Sequence, residues 1–347
     1  IIGSKILKHP KIVLIIGIVI ILITSLGIQN VNAEVNLINL FKPGNTIRES
    51  TRFLDDEMAG SMNLLMKING DLKDPKILNQ IIKIQDFLQT IPTVNTTFSI
   101  ADIIKEIHLK IMDNDQKFFT IPQNRNKINN LFTMYFMSGN SEDFESLINY
   151  EYDAGLITTM MHTVSTSDVV KISNNITNYL DAEIPNLDYE ITGMMIFLKD
   201  FVSLVVTSSI TSILMSIIII LFIVWIFFRS WKFGLLSIIP LISAVLLNFG
   251  LMGWIGVDLS HFTALLTSII IGVGVDFSIH YISDFIRCIK NNSNIEKTNL
   301  KVMNNVGYPI LLDVCSNMGF GALIFSSLIP LTQMGALMIF AMLSTSI

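Results

Sequence analysis

Five apolar runs set the limits on what this chain can fold into: residues 12–28, 201–228, 234–255, 262–282 and 308–328. Each is long enough, or nearly so, to cross a hydrocarbon core about 30 Å thick at about 1.5 Å per helical residue. A sixth run, residues 331–347, is still apolar where the sequence stops. Hydrophobic residues make up 51% of the chain and charged ones only 15%, which excludes an ordinary soluble domain and points to a polytopic membrane protein. No methionine opens the chain, so both ends read as cut and a fragment of a longer protein is expected.

The first run could be a secretory signal, because Lys5, Lys8 and Lys11 precede it and Val31-Asn32-Ala33 is a fair cleavage site. Its length favours a membrane anchor. The expected division is residues 1–28 as the first span, 29–198 as an extracytoplasmic domain and 199–347 as a five-span block whose last span is truncated.

Residues 29–197 differ in character, with 22 acidic against 13 basic side chains, whereas the membrane part holds 10 basic against 6 acidic. Nine of those ten (Lys5, Lys8, Lys11, Arg229, Lys232, Arg287, Lys290, Lys297 and Lys301) fall on one side if the spans alternate. The positive-inside rule then puts the N-terminus in the cytoplasm and the large acidic domain outside, in a multi-pass protein of the plasma or inner membrane. An acidic surface argues against nucleic acid as a partner. The two cysteines, Cys288 and Cys315, lie in the membrane or cytoplasmic part, and no disulfide framework or zinc spacing is present.

Within the outer domain the pattern predicts a strand at residues 61–69, a helix from Asp74 and Pro75 to about Thr90, and a strand at 94–100. The order repeats as a β-rich stretch at 155–166, a helix capped by Ser167 or Asp168 and running through Leu180, and a strand at 189–196. Two such units suggest small α+β subdomains of the split βαβ kind, with helices at 101–112 and 123–137 between them. No catalytic constellation stands out, so an enzyme is not expected. His108 and His162 read as ordinary surface or packing residues, and Met134, Met137, Met160 and Met161 as core filling that could otherwise touch apolar cargo.

Asp276 sits near the middle of the fourth run, where a carboxylate costs roughly 2.5–3.5 kcal/mol. Ser268, Gly272, Asp276, His280 and Asp284 recur every four residues, so they form a drifting stripe of small or polar side chains that should face other helices. Gly272, Gly274 and Ser268 are the expected packing positions, and burial there would let Asp276 take and release a proton near physiological pH. No Lys or Arg lies at similar depth in the spans, which favours proton or ion handling over simple charge pairing. His280 is a weaker relay candidate. Asp313, near the inner interface, could face the stripe from the fifth span with Ser316, Asn317 and Gly321.

The segment Gly272–His280, GVGVDFSIH, resembles the GxxxD(Y/F) signature on the fourth span of the RND superfamily, closest to the MMPL-type and hydrophobe/amphiphile efflux-3 exporters. The order of one span, a large external domain and then five spans is similar as well. So are Phe228, Arg229 and Ser230 after the second run, Pro240 in the third, and Gly319, Phe320, Phe325 and Ser326 in the fifth.

The resemblance implies an α-helical polytopic membrane protein, a six-span RND-type half with an external α+β porter-like domain. It implies proton antiport coupled to efflux of lipids or other hydrophobic molecules, with Asp276 as the relay carboxylate. Phe277 stands where many relatives have Tyr, which puts a hydroxyl-assisted relay in doubt. Its partners would be membrane lipid, a hydrophobic or lipid substrate, protons and a missing C-terminal half, and a homo-oligomer is compatible with it. No cofactor is implied, and the sequence shows no ATP site. Two other readings share the pattern: a sterol-sensing-domain-like lipid receptor module, and a protein-export accessory subunit of the SecD/SecF kind.

Overall fold

Asp74 begins its helix as the sequence predicts: its side chain accepts from the Lys76 backbone N–H at 2.9 Å, and Pro75 follows as the first helical residue. The computed structural model describes residues 9–34, 38–138, 146–290 and 294–346; Lys5 and Lys8 lie outside the described residues. In chain order the elements are α1 (Pro10–Ser25), α2 (Thr46–Glu57), β1 (Met62–Asn69), α3 (Pro75–Gln89), β2 (Val94–Phe98), α4 (Ile100–Ile111) and α5 (Arg125–Ser138). There follow β3 (Ala154–Met161), α6 (Thr166–Glu183), β4 (Asp188–Thr192), α7 (Met194–Phe228), α8 (Trp231–Ile255), α9 (His261–Ile289), α10 (Ile295–Asn317) and α11 (Ile329–Ser346). They form two compact units, one running mainly over Pro43–Phe201 and one built from the chain start and Val202 onward.

In the first unit the four strands make one antiparallel sheet in the order β2-β3-β1-β4. The two strand–helix–strand repeats are therefore one interleaved split-βαβ domain, not two subdomains. Pairing of β1 with β3 along its whole length decides this, because it inserts the second repeat's strand between the two strands of the first. β1 alternates strictly, with Met62, Leu64, Met66 and Ile68 buried, and β3 does the same. α3 contributes Leu78, Ile81, Ile84 and Leu88 to the core, α6 contributes Val169, Ile176 and Leu180, and Phe87 of α3 stacks on Tyr179 of α6 at 3.8 Å.

Three details depart from expectation. Ser165, not Ser167 or Asp168, caps α6, accepting from the Asp168 N–H at 3.1 Å; hydrogen bonds from Lys171 and Ser165 hold the exposed Asp168 carboxyl below its usual range. β4 ends at Thr192 instead of running to residue 196. Gly193 turns the chain at φ +100° so that Met194 can start α7, and a Cβ there would lie 2.9 Å from the Asn63 carbonyl oxygen. α2 is not foreseen, because its segment TIRESTRFLDDE holds few apolar residues.

α2 is tied in by the buried Asp55, whose Oδ1 accepts from Ser61 N–H (3.2 Å), Ser61 Oγ (2.9 Å) and Thr163 N–H (2.8 Å). Asp55→Ala would leave two backbone donors without their acceptor, at a cost of about 1–3 kcal/mol for each buried group. A clear drop in the Tm of the purified full chain in detergent is expected, and an unchanged Tm would show that water satisfies those donors.

Among the described residues six helices are long and apolar enough to cross a membrane: α1 with its 3₁₀ extension to Asn30, α7, α8, α9, α10 with its 3₁₀ extension to Phe325, and α11. The fifth of these starts at Ile295, thirteen residues before the apolar run predicts, because polar turns carrying Lys297 and Lys301 continue the same helix. In the second unit α9 packs against α8, α10 and α11 around Leu266, Ile270, Phe277, Val314, Leu337 and Met338. α1 crosses α8 through glycines: a Cβ on Gly253 would lie 1.7 Å from the Gly27 carbonyl oxygen, and one on Gly250 would lie 2.1 Å from that of Thr24. Trp254 Nε1 donates to the Thr24 carbonyl at 3.2 Å beside this crossing.

Candidate functional site on the fourth membrane helix

Asp276 lies 15 residues after His261 and 13 before Ile289, so roughly 22 Å and 20 Å of α9 extend to either side of it at about 1.5 Å per residue. It sits near mid-depth of a helix whose other faces are well packed. Its side chain is nonetheless exposed, and among the described residues neither Asp276 nor His280 makes a hydrogen bond or ion pair.

The exposed positions of α9 run Leu265, Ser268, Gly272, Asp276, His280, Ser283 and Arg287, a spacing close to the helical 3.6 that keeps them on one face. Only Leu265 among these seven is a large apolar residue. α7 shows what a lipid-compatible face looks like: it exposes Leu214, Met215, Ile218, Ile219, Phe222, Ile223 and Ile226. The open face of α9 is thus chemically unlike a surface made for hydrocarbon.

This placement corrects several expectations. Among the described residues Ser268 and Gly272 are exposed, and a Cβ on Gly272 would meet no atom within 4 Å. Gly274 does pack, with Thr345 and Leu241 side chains 3.4 and 3.5 Å from its built Cβ. The two glycines of GVG stand two residues apart, about 200° around the helix, so they cannot share a face.

Phe277 is buried in the core, turned about 100° from Asp276, and so does not stand beside the carboxylate on its open face. Asp284 leaves the stripe too, since steps of four residues drift by about 40° each. It is buried, paired with Arg287, and accepts from Asn305 Nδ2 at 3.1 Å, which ties α9 to α10. The i,i+3 spacing of Asp284 and Arg287 was the available signal for this pairing.

Asp313 and Ser316 are exposed on α10, and Asn317 Nδ2 donates to the Asp313 carbonyl at 3.0 Å and to its carboxylate at 3.2 Å. Asp313 lies 18 residues after Ile295 and four before Asn317, in the last turns of α10 before its 3₁₀ extension. None of these groups bonds to Asp276 among the described residues. Gly321 is buried in the 3₁₀ extension, against Ile339.

A groove of about 510 Å³ opens on the packed side of α9, walled by Leu14, Leu236, Ile239, Pro240, Phe277 and Ile310 and edged by hydroxyls of Ser243, Ser278, Tyr281 and Thr345. Its size and mostly apolar wall suit an acyl chain or a comparable hydrophobe. In the other unit His108 is a packing residue, its Nδ1 2.8 Å from the Thr120 carbonyl oxygen. Met161 fills the core and Met160 is half-buried, whereas Met134 and Met137 are exposed and do not.

Comparison with known sequences agrees with this architecture. The chain is 22% identical over 346 residues to MJ1562 of Methanocaldococcus jannaschii, which is named only as a membrane protein; the match covers 94% of this chain and 85% of the relative. The MMPL family pattern spans residues 61–346, from the first strand of the sheet to the end of the last membrane helix. With its six apolar helices, its split-βαβ sheet and that match over most of its length, the chain belongs to the MMPL family of membrane proteins.

Proposed function

We propose that this chain is one six-helix block of a transporter of the plasma or inner membrane that uses the proton motive force to export lipids or other hydrophobic and amphiphilic molecules. The observation that carries the reading is Asp276, an ionisable group near mid-depth of a membrane helix with no charge partner among the described residues. Such groups are expensive and mark ion or proton pathways. The family's work is transport of hydrophobic substrates, and the groove beside Phe277 is of a size to hold one.

In this reading protonation of Asp276 removes a charge and its release restores it. A cost of roughly 2.5–3.5 kcal/mol that is present in one state and absent in the other shifts a two-state equilibrium about a hundredfold, enough to drive a rocking of the helices. The basic residues Arg229, Lys232, Arg287 and Lys290 put their loops in the cytoplasm and the acidic α+β unit outside, where it handles substrate on its way out. The block works with a second block that completes the proton path.

The test is export of a fluorescent lipid analogue by the full-length protein in proteoliposomes under an imposed pH gradient. Export should stop when nigericin collapses the gradient. Export that continues at the same rate after collapse would mean that the protein draws on another source of energy or none.

A further inference from the structure

We infer that Asn95 is a glycan acceptor, modified on its side-chain amide while the chain is being made, and that the saccharide shields an open edge of the sheet. The inference rests on the orientation proposed above, with the α+β unit outside. Three N-x-S/T triplets occur in the sequence, at Asn95, Asn175 and Asn291, and the first two fall in the α+β unit. Asn291 lies outside the described residues. Asn95 is exposed at a bulge of β2: Val94 pairs with Met161 and Thr96 with Met160, so Asn95 has no opposite residue on β3. Its Nδ2 lies 3.5 Å from the Met58 carbonyl oxygen, beyond the usual range of about 2.7–3.2 Å, so this contact holds the amide only weakly.

β2 and β4 are the two edges of the sheet. β4 (DYEIT) carries Asp188 and Glu190, charges of the kind that discourage pairing with another chain. β2 (VNTTF) has no charged residue and no proline, and it exposes Phe98. Among the described residues no strand pairs with its outer side. A bulky, hydrated saccharide at the bulge supplies the protection that the side chains of β2 lack.

In the transfer, Asn95 Nδ2 attacks the anomeric carbon of an oligosaccharide carried on a lipid phosphate. The new N–C bond replaces the C–O bond to the phosphate, which leaves with its electron pair, and the amide gives up one proton to the transferring enzyme. The triplet is read with its hydroxyl accessible, yet in the fold Thr97 is buried and its Oγ1 accepts from Gln89 Nε2 at 3.1 Å. The modification therefore precedes docking of β2. The chain order allows that delay: Met161 of the partner strand follows Asn95 by 66 residues, about 3–13 s of synthesis at about 5–20 residues per second. Asn175 has no such interval, because its triplet lies inside α6, which closes through local contacts. There Thr177 Oγ1 donates to the Ser173 carbonyl at 3.1 Å and stands about 200° around the helix from Asn175.

The experiment uses the full-length protein purified from membranes of its natural host and reads mass instead of transport, so it can fail while the export reading stands, and the reverse. The tryptic peptide Ile84–Lys105 should carry an added saccharide, localised to Asn95 by tandem mass spectrometry. Asn95→Gln and Thr97→Val should lose it, and Thr97→Ser should keep it, because transfer requires the hydroxyl. Asn95→Gln should also raise the aggregated fraction on size exclusion, and adding Thr96→Lys, a charge on the same edge, should lower it again. An unmodified Ile84–Lys105 peptide, or a saccharide on Asn175 alone, would overturn the proposal. A saccharide on Asn291 would overturn it together with the orientation. If the aggregated fraction of Asn95→Gln is unchanged, the saccharide does not shield the edge.

Discussion

Asp276→Asn should abolish gradient-driven export, bringing it down to the rate seen with no gradient, while the protein still inserts and elutes as the unsubstituted chain does. The amide matches the carboxylate in shape and cannot take up or release a proton, so the change removes titration and little else. Because Asp276 has no partner within the chain among the described residues, the substitution orphans no donor. It also removes the roughly 2.5–3.5 kcal/mol cost of a mid-membrane charge, so insertion should be equal or better. Asp284→Asn makes a useful contrast. That carboxylate is engaged by Arg287 and Asn305, so its loss should loosen the α9–α10 contact and lower the Tm. The same proteoliposome assay decides the matter: if Asp276→Asn exports at the unsubstituted rate, Asp276 is not the proton carrier.

Gly253→Leu should have the largest effect on the fold. Its Cβ alone would sit 1.7 Å from the Gly27 carbonyl oxygen, which is backbone and cannot rotate away, so α1 must leave its groove on α8. Overpacking usually costs about 1–3 kcal/mol when side chains can adjust; here they cannot, and the crossing itself is lost. Monodisperse protein should largely disappear from the detergent eluate. Gly272→Ala is the control, since a Cβ there meets no atom within 4 Å among the described residues. An undisturbed elution profile and Tm for Gly253→Leu would show that the α1–α8 crossing contributes little.

Much of this architecture was legible in one dimension because its causes are local. Uninterrupted apolar runs of about twenty residues can satisfy their backbone only as helices, so the spans could be located to within a few residues wherever the apolar run and the helix coincide. The start of α10 was missed for the same reason, since its first turns are helical without being apolar. Strand alternation and the Asp74–Pro75 cap marked the outer elements, and the family signature around Gly272–His280 was visible in the residues themselves.

Facing and pairing were not legible, because they depend on which surfaces distant segments bring together. Only the β1–β3 register turned two repeats into one sheet, and only the backbone approach of Gly27 to Gly253 showed why those glycines are there. The four-residue stripe on the fourth span reads as drifting slowly while facing other helices throughout. The drift was legible from helical geometry, but only the packed bundle decided that Asp284 turns inward to Arg287 and Asn305 while Asp276 turns outward. A sequence carries the cost of a charge at a given depth; which neighbours meet that cost is settled by the tertiary contacts around it.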